Sequence, residues 1–356
     1  MITALEVNNF RCFKTLRLND CGKFNIVVGN NAGGKTALLE SIYLPGGGPE
    51  QVFKYFNWRG LPFPGGQWTR SRYEDLWTDL FYQFDSKERI SISLTGTAEN
   101  NRRFKLYFDD TTPTSSFDGP SIPGLTPPLP SSSIIPVVFE TIDNEGNVFT
   151  QKPFINAKGE YEPNGSGAPG LVSFIPSFAA ANPLESAEIF STLSKRNETD
   201  QLKKTLREVF PDVLDVSIEI LPGGITSLYC SRPNVKEKVP LGLVSAGVSK
   251  LVQILLGIAG VRGGVVVVDE IENGFHYKAM PKVWEAIIHF CEEYKVQLFA
   301  STHSKECLDA LEPMLRKKQL EFRLLRAEED KQHEHTVRVF SGREFDAALE
   351  TGTEFR

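Results

Sequence analysis

The segment Gly29-Asn30-Asn31-Ala32-Gly33-Gly34-Lys35-Thr36 constrains this chain more than any other feature. It fits the pattern G-x-x-x-x-G-K-[S/T]. Glycines there let successive backbone N–H groups curl around a phosphate, and the next helix adds its N-terminal dipole. The pattern needs a strand before it and a helix after it. Phe24–Val28 is an apolar run that reads as the strand. Lys35 onward, through Ala37, Leu38, Leu39 and Ile42, reads as the helix, stopped by Pro45-Gly46-Gly47-Gly48. In this setting Lys35 is expected to reach the outer phosphates of a nucleotide, and Thr36 to place its hydroxyl on Mg²⁺.

The last third of the chain supplies a matching frame. From residue 246 the order is helix, strand (265–268), helix (about 279–294), strand (296–300), helix (about 305–317), strand (321–325), which implies a mostly parallel sheet. Val265–Val268 is a buried strand by composition, and Asp269 and Glu270 emerge at its C-terminal edge, where such sheets bind ligands. Asp269 suits a Mg²⁺ shell, and Glu270 could take a proton from an attacking water. Phe299 to Ser304 is a second strand end, and its His303 could bond a γ-phosphate or that water. Outside such a context, a strand-end His is a surface or capping residue. Ser245 is a good N-cap for the apolar helix that follows, and Gly247 would leave the helix start open to an anion. Alone, this segment is an ordinary capped helix.

Elsewhere the sequence is quieter. Residues 2–7, 90–94, 104–108, 135–142, 171–175, 213–221 and 225–230 read as strands, and 184–209 as helix-rich. The aromatic stretch 51–84 reads as a helical piece packed on the core, and 111–136 as an exposed Pro/Ser-rich loop. Arg102-Arg103, Lys203-Lys204 and Arg316-Lys317-Lys318 read as solvated faces, and His333-Glu334-His335 as a solvated hairpin and not a metal site. A net charge of −6 excludes a generally basic nucleic-acid coat. Five scattered cysteines without a CxxC pair point to reduced thiols. With no signal-like or spanning apolar segment, a cytoplasmic protein without membrane contact is expected.

Together these pieces resemble the ABC-type ATPase heads of the SMC, RecF and OLD group, also named AAA-family ATPases, over nearly the whole chain. Leu5 to Phe13 is similar to that group's opening strand and N-F-[R/K] turn. Gly29 to Thr36 corresponds to its Walker A motif, and Val265 to Glu270 to Walker B with the catalytic Glu. Ser245-Ala246-Gly247 stands where the family has its signature, with Ala246 and Val248 departing from S-G-G-Q. Glu272-Asn273-Gly274 would be the D-loop and His303 the switch His. Asp269 to His276 is especially similar to small OLD-like defence ATPases. No Gln stands out as a Q-loop residue, and 173–176 is the candidate region.

The resemblance implies an α/β P-loop NTPase: an ABC-type head with a mostly parallel core sheet, an antiparallel β subdomain and a helical insert. It implies a single head over 1–356, with an N-terminal lobe (1–175), the insert (176–212) and a C-terminal lobe (213–356). ATP and Mg²⁺ would bind between two heads. Gly29, Asn30, Asn31, Ala32, Gly33, Gly34, Lys35, Thr36, Asp269, Glu270 and His303 would come from one chain, and Ser245, Ala246 and Gly247 from the other. A homodimer or higher oligomer would then open and close with hydrolysis, acting with a separate effector protein in antiphage defence or on nucleic acid. Thr36 and Ser245 are separated by 209 residues without heptads or a zinc-hook CxxC, which argues against a long-armed DNA tether. The 53 residues after His303 are too few for a Toprim nuclease domain.

Two rival functions are a slowly hydrolysing, nucleotide-gated scaffold that holds an effector inactive, and a DNA nuclease. The lack of a Toprim or HNH-like cluster counts against the second. Transport subunits share the motifs but would carry a Q-loop and S-G-G-Q. Lys35→Ala is expected to abolish tight ATP binding, because it removes the point charge that the phosphates meet. Titration of a folded variant with labelled ATP checks this, and unchanged affinity would remove the phosphate-loop assignment.

Overall fold

Helix α1 (Lys35–Tyr43) lies between two sheets, and its residues from Ala37 to Tyr43 are all buried. In the computed structural model, the described residues are 1–46, 54, 70–97, 100–109, 136–152, 154–155, 161–162, 165–177, 183–318, 321–341 and 344. The loop expected over 111–136 falls outside them except for its last residue. So do Gly47-Gly48 and, from the aromatic stretch, Phe53, Tyr55, Phe56, Trp58 and Trp68.

The first sheet is antiparallel, in the order β2-β1-β4-β5-β6-β7. It contains β1 (Ile2–Phe10), β2 (Phe13–Asn19), β4 (Ile90–Gly96), β5 (Arg102–Phe108), β6 (Val137–Ile142) and β7 (Val148–Gln151). The second contains β3 (Phe24–Val28), β10 (Val172–Ile175), β14 (Val265–Val268), β15 (Gln297–Ser301), β16 (Phe322–Glu329) and β17 (His335–Ser341). Its order is β10-β14-β15-β3-β16-β17, parallel throughout except for the antiparallel edge strand β17. A short pair, β8 (Phe154–Ile155) and β9 (Tyr161–Glu162), and a three-stranded sheet of β11 (Asp215–Ile220), β12 (Thr226–Ser231) and β13 (Val239–Pro240) complete the strands.

The unbroken apolar run of β14 follows from burial on both faces. Val265 and Val267 join α1 and the antiparallel sheet in one core. Val266 and Val268 join the other core, beneath the remaining helices. These are α3 (Pro183–Lys195), α4 (Thr199–Val209), α5 (Ala246–Gly260), α6 (Met280–Glu293) and α7 (Lys305–Lys318). Helix α2 (Arg70–Thr78) brings Trp77 to the first core.

Buried amides lock the sheets in place. Gln297 Oε1 accepts from Ile2 N at 2.7 Å, and its Nε2 donates to the carbonyls of Ile2 and Gly22, each at 2.7 Å. Asn25 Nδ2 ties the Gly22 carbonyl to that of Leu298. Both amides thus satisfy backbone groups that would otherwise be stranded in the core.

Some expectations change in detail. The helix-rich stretch 184–209 is two helices, broken where Asn197 takes a left-handed φ of 58°, a conformation Asn tolerates. Strand β2 was not expected, because Lys14 and Thr15, both exposed, interrupt its alternation. Arg102 is not on a solvated face. It shares the inward register of Phe104 and Leu106 on β5 and is buried, while Arg103 is exposed. His333-Glu334-His335 lies in the β16–β17 hairpin, with His333 Nδ1 2.5 Å from Glu329 Oε1. No helix among the described residues is long and apolar enough to cross a membrane.

Candidate functional site

Strands β14, β15 and β3 are consecutive in the sheet, so their C-terminal ends bring three sequence-distant segments together. The Gly29–Thr36 loop leaves β3 with three left-handed residues: Gly29 (φ 139°), Ala32 (φ 63°) and Gly34 (φ 97°). A Cβ on Gly29 would sit 2.0 Å from the Ala327 carbonyl oxygen of β16, so the loop rests directly on that strand. Gly33 is buried against the same carbonyl, whereas Asn30, Asn31 and Ala32 are exposed. Lys35 Nζ donates to the carbonyls of Gly29 (2.7 Å) and Asn30 (2.9 Å). Burial lowers its pKa from the ordinary lysine value, opposed by the charges of Asp269, Glu270 and Glu272.

At the end of β14, Asp269 is buried and accepts hydrogen bonds from two hydroxyls. Ser301 Oγ, from β15, donates to Oδ1 at 2.6 Å, and Thr36 Oγ1 lies 3.3 Å from Oδ2. Ser301 Oγ also accepts from the backbone N–H of Glu270 at 2.8 Å. Glu270 itself holds a left-handed φ of 47°, the kind of backbone strain that persists only where neighbours over-determine it. Asn273 Nδ2 donates to Glu270 Oε2 at 2.5 Å. His303 is half-exposed, with Nδ1 3.9 Å from Glu270 Oε1 and 3.4 Å from Glu272 Oε1.

The Asp269 carboxylate and Thr36 hydroxyl offer hard oxygen donors in contact with each other. That set suits Mg²⁺, which keeps phosphate and water in its other positions. No group of three or more His, Cys, Asp or Glu that could hold a metal occurs among the described residues.

The Ser245 segment meets expectation in one respect and departs in another. Ser245 N-caps α5, its Oγ accepting from Val248 N at 3.1 Å, and Ser245 and Ala246 are exposed. Gly247, one residue further on, is packed against the turn after β14. It is buried, and a Cβ there would sit 2.6 Å from the Gly274 carbonyl. The missing side chain leaves room for the turn after β14. In the 173–176 region, Ile175 O accepts from Asp269 N at 2.9 Å, and no Gln occupies this strand end.

Four further residues complete the junction. Ser301, Glu272 and Asn273 act as described. Lys250, only 6% exposed, donates from Nζ to the carbonyls of Pro176 (2.8 Å) and Asp269 (3.1 Å). A lysine early in an apolar helix carries no sequence signal of its own.

A family profile described as "AAA domain, putative AbiEii toxin, Type IV TA system" matches residues 142–309. An ATP/GTP phosphatase of Helicobacter pylori is 26% identical over 355 residues, covering 89% of each chain. The DNA replication and repair protein RecF of Idiomarina loihiensis is 47% identical over 47 residues, 13% of each chain. Among solved structures, an SMC head bound to the C-terminal winged-helix domain of ScpA superposes with a TM-score of 0.50 at 12% identity. The match covers 99% of both chains, so the fold is that of an SMC-like, ABC-type head.

Burial pushes Lys250 down to about 8 from an ordinary 10.5. Between these values the unfolded chain keeps a proton that the folded chain has lost, so stability rises with pH there. Below about 8 the cost of burying the cation is fully present. Unfolding in urea across pH 7.5–10 should show a gain of about 2–3 kcal/mol from this group. Lys250→Met should lose that gain.

Proposed function

We propose that the chain, an ATPase, belongs to the ABC-type, SMC-like AAA class and hydrolyses Mg²⁺–ATP between two copies of itself. The supporting observation is the meeting of Lys35, Thr36, Asp269, Glu270 and His303 at the ends of three neighbouring parallel strands. Residues Gly29 to Gly34 wrap the phosphates with backbone N–H groups, and Lys35 exchanges its loop carbonyls for phosphate oxygens. Thr36 and Asp269 would hold Mg²⁺, which when bound would supply positive charge to the phosphates. Glu270 accepts the proton of the attacking water, with Asn273 fixing one of its oxygens. His303 contacts the γ-phosphate.

In this reading, the exposed α5 start with Ser245 and Ala246 faces the nucleotide of the partner copy, where the helix dipole favours negative charge. Gly247 contributes by letting the Gly274 turn lie against the helix. ATP binding closes the pair and hydrolysis opens it. The dimer would act as the ATPase component of a nucleic-acid or antiphage-defence system with a separate effector. The local likeness to RecF, the toxin system named in the family description, and the protein partner of the SMC head support that setting.

Glu270→Gln keeps the size of the side chain but cannot accept the proton. ATP should still bind while turnover falls by roughly 10²- to 10⁴-fold, the usual worth of a positioned base. A scaffold that never depended on turnover would lose no function, and wild-type hydrolysis would place the base elsewhere. Ala246→Arg tests the second copy's role. Equilibrium ATP binding to the monomer should persist while ATP-driven dimerisation, followed by light scattering, is lost. Dimerisation at the wild-type level would show that this segment is only a helix start.

A further inference from the structure

The acidic strand end holds a third carboxylate that the proposed chemistry does not use. Glu272 Oε1 accepts from the backbone N–H of His303 at 3.0 Å. The same oxygen lies 3.4 Å from His303 Nδ1, closer than Glu270 Oε1 at 3.9 Å. The other oxygen, Oε2, is buried without a hydrogen-bond partner. The Glu272 side chain is 14% exposed against 49% for His303, so a shielded carboxylate sits behind a half-open imidazole.

A buried, unpartnered carboxylate oxygen costs free energy. Glutamine at this position would accept the same backbone N–H without burying a charge. That hydrogen bond alone does not call for a carboxylate; the charge faces the His303 ring and also favours the ammonium groups of Lys35 and Lys250. A carboxylate facing Nδ1 holds the proton on that nitrogen and leaves Nε2 for substrate, since each ring nitrogen's role is set by the other's partner.

We infer that Glu272 is a positioning residue for ATP hydrolysis, holding the backbone and ring of His303 so that Nε2 meets the γ-phosphate. This rests on the reading of His303 as a γ-phosphate contact. The arrangement parallels metal sites, in which a second carboxylate fixes the tautomer and direction of a working histidine. It also links the turn after β14 to the loop after β15, the two segments that carry Glu270 and His303.

The test is a double-mutant cycle on steady-state ATP turnover by the full chain, with Glu272→Gln, His303→Ala and both together. Glu272→Gln should lower kcat by roughly 10- to 100-fold, the usual effect of losing such an orienting partner. KM should change little, and urea unfolding should show stability at or above wild type. In the His303→Ala background, adding Glu272→Gln should lower kcat no further, because the carboxylate acts through the ring. Glu272→Asp should recover part of the lost kcat, and it replaces Glu272→Gln in the cycle if that variant does not fold. Wild-type kcat in His303→Ala would overturn the reading of His303 and this inference with it. Reduced kcat in His303→Ala with wild-type kcat in Glu272→Gln would overturn this inference alone. So would losses that multiply in the double variant.

Discussion

The Ser301 hydroxyl is the contact on which the site depends. It donates to Asp269 and accepts from the N–H of Glu270, closing the end of β14 against the end of β15. Without it, a buried carboxylate would lose its shortest hydrogen bond, and a strained residue would lose the partner of its backbone. Hydrogen bonds to ionised groups are worth more than neutral ones. The left-handed φ of Glu270 can therefore be sustained by this one side chain and the Asn273 amide together.

The sheet makes that contact possible. Parallel pairing sets Val268 of β14 opposite Ala300 of β15, so Asp269, just past β14, lies beside Ser301, the last residue of β15. Strand β15 also pairs with β3, which delivers Thr36 to Asp269 from the other flank. Burial on both faces fixes this register, since a one-residue slip would exchange the two cores beneath Val265 to Val268. Hydrophobic packing and the geometry of the candidate site are thus set by one alignment.

How far the sequence discloses this depends on distance along the chain. The phosphate loop and the valine run with its two acids are contiguous, so composition and spacing alone expose Gly29 to Thr36 and Asp269-Glu270. The parallel alternation after residue 246 is legible for the same reason. Ser301 is not, because its partner lies 32 residues away and only strand register joins them. Lys250 is hidden likewise, as a lysine in an apolar helix, and Glu272 is legible as part of the D-loop but not as a partner of His303. Gly247 was legible as a special glycine, but its packing against the carbonyl of Gly274 was not. Arg102 misled because a charged pair looks solvated until the inward register of β5 is known.

The start of α5 is tied to the acidic strand end at two points. Gly247 lies against Gly274, in the turn that follows Glu270, and Lys250 reaches the Asp269 carbonyl itself. Lys250 also holds Pro176 at the end of β10, where no glutamine is present to link strand and nucleotide. A displacement of Asp269 or of the turn behind it would therefore strain a buried ammonium and a close backbone contact before it reached Ser245. Packed contacts of this kind shift between discrete arrangements and do not deform smoothly. The exposed face at Ser245 and Ala246 is thus mechanically part of the acidic site, although more than twenty residues of sequence separate Ala246 from Asp269.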